Sequence, residues 1–177
     1  MVIVIEFMTL DGVVEDPDGS GGTPFGGWAF RFGPEAVAGD KFALGSLLDT
    51  GVMLLGRATW QLFAKIWPDR DDEFARKMNA MPKLVASRSL VSVDDWANST
   101  LLRGDLTQAV AAERRDVVIT GSMSLVEQLG DLVDEYRVVV FPTVVGEGRR
   151  LFTKPANLEL VSAEPLGQAV RLGMRNR

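Results

Sequence analysis

Three short segments of the chain place glycine, hydroxyl side chains and arginine where apolar runs end. They are Leu55-Gly56-Arg57-Ala58-Thr59, Ala86-Ser87-Arg88 and Thr120-Gly121-Ser122. The chemistry these residue types suit is anion binding, and phosphate above all. The first amides of a helix are unpaired donors at a partly positive end. Glycine lets an anion approach the backbone closely, and arginine supplies a forked set of permanently charged donors. Two helix starts plus two arginines call for more than one phosphate group. A dinucleotide with a pyrophosphate and an additional 2′-phosphate would satisfy all three segments. Taken singly, each segment has a plainer reading, a turn with a solvated cation or a simple helix cap. Their recurrence at three successive strand ends is what favours a ligand.

The rest of the composition narrows the chemistry further. The 177 residues include no cysteine and no histidine. Disulfides, thiolate metal sites and thiol nucleophiles are thereby excluded, as are Ser-His-Asp triads and histidine-bound metals. Reaction chemistry must come from carboxylates, hydroxyls, Lys/Arg, Tyr136 or a bound cofactor, and a cofactor that carries the reaction itself fits best. The net charge of −5 argues against general nucleic-acid binding, which needs a basic field. It does not exclude a small polyanion held by well-placed arginines. No apolar run reaches membrane-spanning length. Met1 leads straight into Val2-Ile3-Val4-Ile5 with no basic segment before it, so no secretory signal is expected and a cytoplasmic protein is.

The elements that must position these segments can be read from pattern. Residues 2–8, 52–55, 83–86, 99–102, 116–120 and 135–141 are expected as strands, with 158–163 and 169–174 strands joined by turns. Helices are expected over 35–49 behind Pro34, over 58–64, over 72–78, from an Asp105 cap through Arg114, and from Gly121-Ser122 to about Gly130. Apolar strands alternating with helices imply an α/β sandwich on a mostly parallel sheet, finished by antiparallel strands. Ligands of open parallel sheets bind at the carboxyl ends of the strands, where the three segments lie. The stretch 9–34, dense in Gly, Pro and Asp, is too long for a simple connection. Its Phe25, Trp28, Phe30 and Phe32 favour a lid or pocket wall, the plainer reading being a surface loop packed on the core. There is no internal repeat or linker, and a single domain over 1–177 is expected. The Gly-x-Gly-x-x-Gly fingerprint of ordinary dinucleotide-binding domains is absent after the first strand.

Taken in order, "FMTLDGVV" (7–14), "LLGRATW" (54–60), "EFARKMNAMPKLVASRSL" (73–90), "ITGSMSLVEQL" (119–129) and "LVDEYRVVVFPTVVGEGRRLF" (132–152) resemble the dihydrofolate reductase-like superfamily. Within it they resemble the riboflavin-biosynthesis reductase domain and its stand-alone relatives, over nearly the whole chain. The resemblance implies a dihydrofolate reductase-like three-layer α/β/α sandwich, NADPH as hydride donor, and a homodimer. It also implies roles. Gly56, Arg57 and Thr59 would meet the cofactor phosphates, and Ser87 and Arg88 would hold the 2′-phosphate. Gly121, Ser122 and Met123 would run along the pyrophosphate and nicotinamide, and Asp11 would face the nicotinamide and substrate. The expected activity is reduction of a small heterocycle, as by 5-amino-6-(5-phosphoribosylamino)uracil reductase or dihydrofolate reductase. The alternatives are a non-catalytic nucleotide-binding homodimer that kept the fold, and an interaction protein using the aromatic loop. Zinc-dependent deaminase chemistry, which needs His/Cys ligands, is not expected of this chain.

Two departures bear on the substrate end. Thr120 stands where the riboflavin reductases typically carry a glutamate before Gly-Gly, which removes one substrate-facing carboxylate. The proton donor is open among Asp11, Glu15, Asp16, Asp18 and Glu35. Asp11 is preferred because it follows the first strand directly, although Asp-Gly is also a common turn pair and water could serve instead. Arg149 and Arg150 could reach a substrate phosphate or a dimer partner, or be exposed cations of a turn.

Overall fold

A computed structural model describes residues 1–177. The strands are β1 (Val2–Thr9), β2 (Val52–Gly56), β3 (Lys83–Ala86), β4 (Ser99–Leu102), β5 (Val117–Thr120), β6 (Glu135–Phe141), β7 (Leu158–Leu166) and β8 (Ala169–Asn176). The α-helices are α1 (Leu47–Thr50), α2 (Arg57–Phe63), α3 (Glu73–Ala80), α4 (Leu106–Ala112) and α5 (Met123–Leu129). Hydrogen bonding orders the strands β4-β3-β2-β5-β1-β6-β8-β7 in one mixed sheet. The pairings β2–β3, β2–β5 and β3–β4 are parallel, whereas β6–β8 and β7–β8 are antiparallel. The expected α/β class, a mostly parallel sheet closed by antiparallel C-terminal strands, is what the chain forms. It does so within two compact units, Met1–Val4 with Leu44–Val133, and Ile5–Ala43 with Asp134–Arg177.

The first unit carries the parallel strands. Val52, Met53, Leu54 and Leu55 are all fully buried, and Val117, Val118 and Ile119 nearly so. A strand covered on both faces needs an uninterrupted apolar run, which is why these segments do not alternate. Trp60, Trp96, Leu125, Val126 and Leu129 complete the core. Asp72 caps α3 by accepting from the Ala75 amide at 3.1 Å, and Asp105 caps α4 by accepting from the Gln108 amide at 2.8 Å. The one lysine in this core, Lys83, is fully buried. Its ammonium donates to the carbonyls of Asn79 (2.8 Å) and Ala97 (3.0 Å) and lies 4.3 Å from the centroid of the Trp96 ring.

The helix expected over 35–49 is largely absent: the stretch runs through turns until the single turn of α1. Gly39, Ala43 and Gly45 all take left-handed φ values, of 57°, 51° and 53°. A right-handed helix cannot pass through such residues, and the apolar stripe there serves a folded turn instead.

In the second unit Phe141 is fully buried. Edge-on contacts surround it, from Phe7 at 5.4 Å and Trp28 at 5.6 Å, with Phe32 tilted at 5.9 Å. Trp28 is therefore a core residue of the long loop, its indole N–H donating to the Glu15 carbonyl at 3.0 Å. Phe30 is exposed, and Phe25 and Phe32 are half-buried. Asp16, at φ 53°, organises the loop. Its carboxylate accepts from the amides of Gly21 (2.7 Å) and Thr23 (2.9 Å) and from the Thr23 hydroxyl (2.7 Å). A Cβ on Gly26 would lie 2.2 Å from an Asp16 carboxylate oxygen, so the loop's glycine there is a requirement of packing.

Candidate functional site

The parallel strands of the first unit end at a groove of about 820 Å³, within the usual range of small-molecule sites. Gly56 closes β2, and Arg57 and Ala58 open α2. Ser87, Arg88 and Ser89 follow β3, Arg103, Gly104 and Asp105 follow β4, and Ser122, Ser124 and Gln128 belong to α5 or its cap. All of them line the groove. Of the residues singled out from sequence, Gly56, Arg57, Ser87, Arg88 and Ser122 thus meet in one place. Thr59, Gly121 and Met123 do not form its walls.

Thr59 and Gly121 are instead part of the joint beneath it. Gly121 has φ 51°, and a Cβ there would lie 2.7 Å from the Thr59 hydroxyl oxygen. A Cβ on Gly56 would lie 2.4 Å from the Ser122 Cβ and 2.7 Å from its Oγ. The β2–α2 corner and the β5–α5 corner therefore interlock through two glycines, each filled by a hydroxyl residue of the other corner. Interiors are close-packed, so neither gap can take a methyl group without movement.

The electrostatics of the groove are opposite to those of the whole chain. Three arginines, Arg57, Arg88 and Arg103, and one aspartate, Asp105, line it, in a protein of net charge −5. The Asp105 carboxylate is already used by the Gln108 amide. Neither the Arg57 nor the Arg88 guanidinium forms an ion pair or hydrogen bond within the chain, and both residues are exposed. Ser87 is more constrained. Its Oγ accepts from the amides of Ser89 (3.2 Å) and Leu90 (3.0 Å). A hydroxyl has two acceptor sites and one proton, so with both lone pairs engaged Ser87 can only donate. A donor of that kind beside two free guanidinium groups suits a phosphate.

Arg103 was not singled out from sequence. Its signal is visible in hindsight: Leu102-Arg103-Gly104-Asp105 repeats the strand-end pattern of arginine beside glycine. Its Nη2 donates to the Leu90 carbonyl at 2.8 Å, which ties the end of β4 to the turn that follows β3.

Asp11 lies in the second unit, just after β1. Its carboxylate accepts from the Thr9 hydroxyl (2.6 Å) and the amides of Gly146 (2.8 Å) and Val145 (3.4 Å). The Thr9 hydrogen bond is the largest of the effects that hold its pKa below the usual carboxylate value. Slight burial opposes it, and the two amides add to it. This carboxylate favours the ionised form and pins the 143–150 turn. Arg150 reinforces the same junction, with Nε donating to the Asp11 carbonyl at 3.0 Å. Glu15 accepts from the Arg149 amide at 2.9 Å.

Comparison with known proteins bears on the family and the fold. An uncharacterised protein of Bacillus subtilis (strain 168), YyaP, is 28% identical over 132 residues, covering 67% of this chain and 69% of its own. A candidate riboflavin biosynthesis protein of Shewanella sp. PV-4 superposes with a TM-score of 0.72 at 18% identity, covering 99% of this chain and 98% of the other. Dihydrofolate reductase from Enterococcus faecalis, in a complex with NADP(H), gives a TM-score of 0.60 at 13% identity over 100% and 96% of the two chains. The deaminase/5-amino-6-(5-phosphoribosylamino)uracil reductase of Thermotoga maritima gives 0.60 at 16% identity, with this chain spanning 56% of its length. At these identities the likeness to the solved structures is one of fold. The profile of the RibD C-terminal domain matches residues 1–172, and the chain belongs to that family.

Proposed function

We propose that this chain is an NADPH-dependent reductase of a small heterocyclic substrate. The observation that carries the reading is the groove. Two unpartnered arginines and a serine hydroxyl able only to donate converge on a cavity at the ends of parallel strands. Those residues fit a phosphorylated dinucleotide. Arg57, at the start of α2 beside Gly56, would hold its pyrophosphate, and Ser87 and Arg88 its 2′-phosphate. When bound, NADPH supplies a hydride. The family, and the fold shared with reductases that include an NADP(H) complex, support the assignment. Because Asp11 favours its ionised form, its role in this reading is to hold the 143–150 turn in place, and a water molecule delivers the proton. The protein is expected to act as a cytoplasmic homodimer, which sedimentation would check.

A titration of the protein with NADPH, followed by quenching of tryptophan fluorescence, tests the reading directly. Saturable binding below millimolar concentration is expected. Its absence refutes the assignment. One observation favours a second reading, a nucleotide-binding homodimer without turnover: the preferred acid is already engaged by three hydrogen bonds. That reading predicts NADPH binding with no oxidation against any pterin- or uracil-type substrate. NADPH oxidation with any such substrate would overturn it.

A further inference from the structure

We infer that Arg103 is a positioning residue for NADPH selectivity, acting through the Ser87–Leu90 turn. The inference rests on the reading of the groove as an NADPH site. Arg103 is exposed, yet one of its nitrogens is committed to the Leu90 carbonyl at 2.8 Å. The amide of that same residue, Leu90, donates to the Ser87 Oγ at 3.0 Å, with the Ser89 amide beside it at 3.2 Å. The three contacts form a chain. The guanidinium fixes Leu90, Leu90 and Ser89 occupy the Ser87 lone pairs, and the Ser87 proton is left to donate outward. Freed of the clamp, the turn can rotate its amides away. Ser87 then regains acceptor character and loses its preference for an anion. A neutral acceptor-donor hydroxyl no longer distinguishes a ribose carrying a phosphate from one carrying a hydroxyl.

The position of Arg103 supports this role over a purely local one. It begins the segment between β4 and the Asp105 cap of α4, where Gly104 takes φ 88°. Its backbone is thus held between a strand paired to β3 and a capped helix. An arginine anchored at its base and bonded at its tip is a strut, and this one spans from β4 to the turn that carries both Ser87 and Arg88. A lysine at the same place has a single point charge on a flexible stem and lacks the planar fork.

The test measures dissociation constants of NADPH and NADH for the full chain and for Arg103→Ala, Arg103→Lys, Ser87→Ala and the Arg103→Ala/Ser87→Ala double variant. Amide hydrogen exchange at Ser89 and Leu90 is followed without nucleotide. Arg103→Ala is expected to weaken NADPH about tenfold, the scale of one charge-assisted hydrogen bond, and to leave NADH within about twofold. It should add almost nothing in the Ser87→Ala background, because the effect passes through Ser87. Exchange at Leu90 should accelerate in Arg103→Ala, and Arg103→Lys should restore it only in part. Equal weakening of NADPH and NADH, or full additivity with Ser87→Ala, overturns the positioning role while the NADPH reading stands. If the unaltered chain binds neither nucleotide, both fall together.

Discussion

Replacement of Gly56 by alanine tests the joint on which the groove is built. The new Cβ would lie 2.4 Å from the Ser122 Cβ, whereas carbon atoms settle at about 3.5–4.0 Å. The β2–α2 and β5–α5 corners must then part by roughly 1.1–1.6 Å, or Ser122 must leave its place. Gly56 itself is extended, with φ −77° and ψ 163°, so the substitution carries no backbone strain and the effect is one of contact alone. Overpacking of this kind costs about 1–3 kcal/mol. For a chain of this size that corresponds to a fall in Tm of about 2–12 °C. Thermal unfolding followed by circular dichroism reads it. The decisive comparison is Gly56→Ala with Ser122→Gly in one chain. Removing the Ser122 side chain leaves only its Cα, 3.8 Å from the new methyl, an ordinary contact. The double variant should therefore recover most of the lost Tm, a coupling of about 1 kcal/mol or more between neighbours. A Gly56→Ala variant that melts with the unaltered protein, or a double variant that melts as low as the single one, refutes the interlock.

Three other outcomes follow from the same geometry. Arg57→Ala removes an exposed cation with no partner in the chain. It should weaken NADPH by about 10- to 100-fold in a fluorescence titration with Tm unchanged. Burial pushes the Lys83 ammonium down from 10.5 to about 8. Between those two values the unfolded chain binds the proton and the folded chain does not, so stability to urea should rise with pH across that window, by up to about 3 kcal/mol. Lys83→Met should abolish that rise, and a stability curve flat from pH 8 to 10.5 in the unaltered protein would contradict the placement. Asp16→Ala loses three hydrogen bonds and leaves alanine at φ 53°. It should cost about 2 kcal/mol or more and open the 16–28 loop to limited proteolysis, whereas Asp16→Gly, which tolerates that φ, should lose less stability.

How much of this was legible before the fold was known depends on where each residue's information lies. The buried strands β2 and β5 could be read directly, because a strand covered on both faces must be apolar throughout. Gly56, Arg57, Ser87, Arg88 and Ser122 were legible as a recurring strand-end pattern, since parallel strands bring their carboxyl ends to one side whatever the intervening helices do. The helix expected over 35–49 forms only its last turn, because helical spacing of apolar residues says nothing about φ. Ala43 adopts a left-handed conformation that sequence assigns to glycine or asparagine. The strand β7 extends three residues past the expected end at Ala163, to Leu166. Its length is set by pairing with β8 rather than by its own pattern, with an irregularity between Leu160 and Ser162. Arg103 was passed over because its role lies in a contact to Leu90 across the sheet order, and no local rule encodes it.

The division of the chain also bears on how it is made. The first unit joins residues 1–4 to residues 44–133, and the second joins 5–43 to 134–177. Met1 receives a hydrogen bond from the Val117 amide at 2.8 Å, and its terminal ammonium pairs with Asp116 at 2.7 Å. During synthesis the first strand must therefore wait for β5 to emerge, more than a hundred residues later, before its first pairing with another strand can form. At ribosomal rates of about 5–20 residues per second that wait is roughly 6–23 s. The unit that bears the groove can close only once α5 and the chain to Val133 have followed, while the second unit remains open until the β7–β8 hairpin is released. Throughout the wait the run Val2-Ile3-Val4-Ile5 is an unpaired, β-prone segment of the kind that chaperones shield.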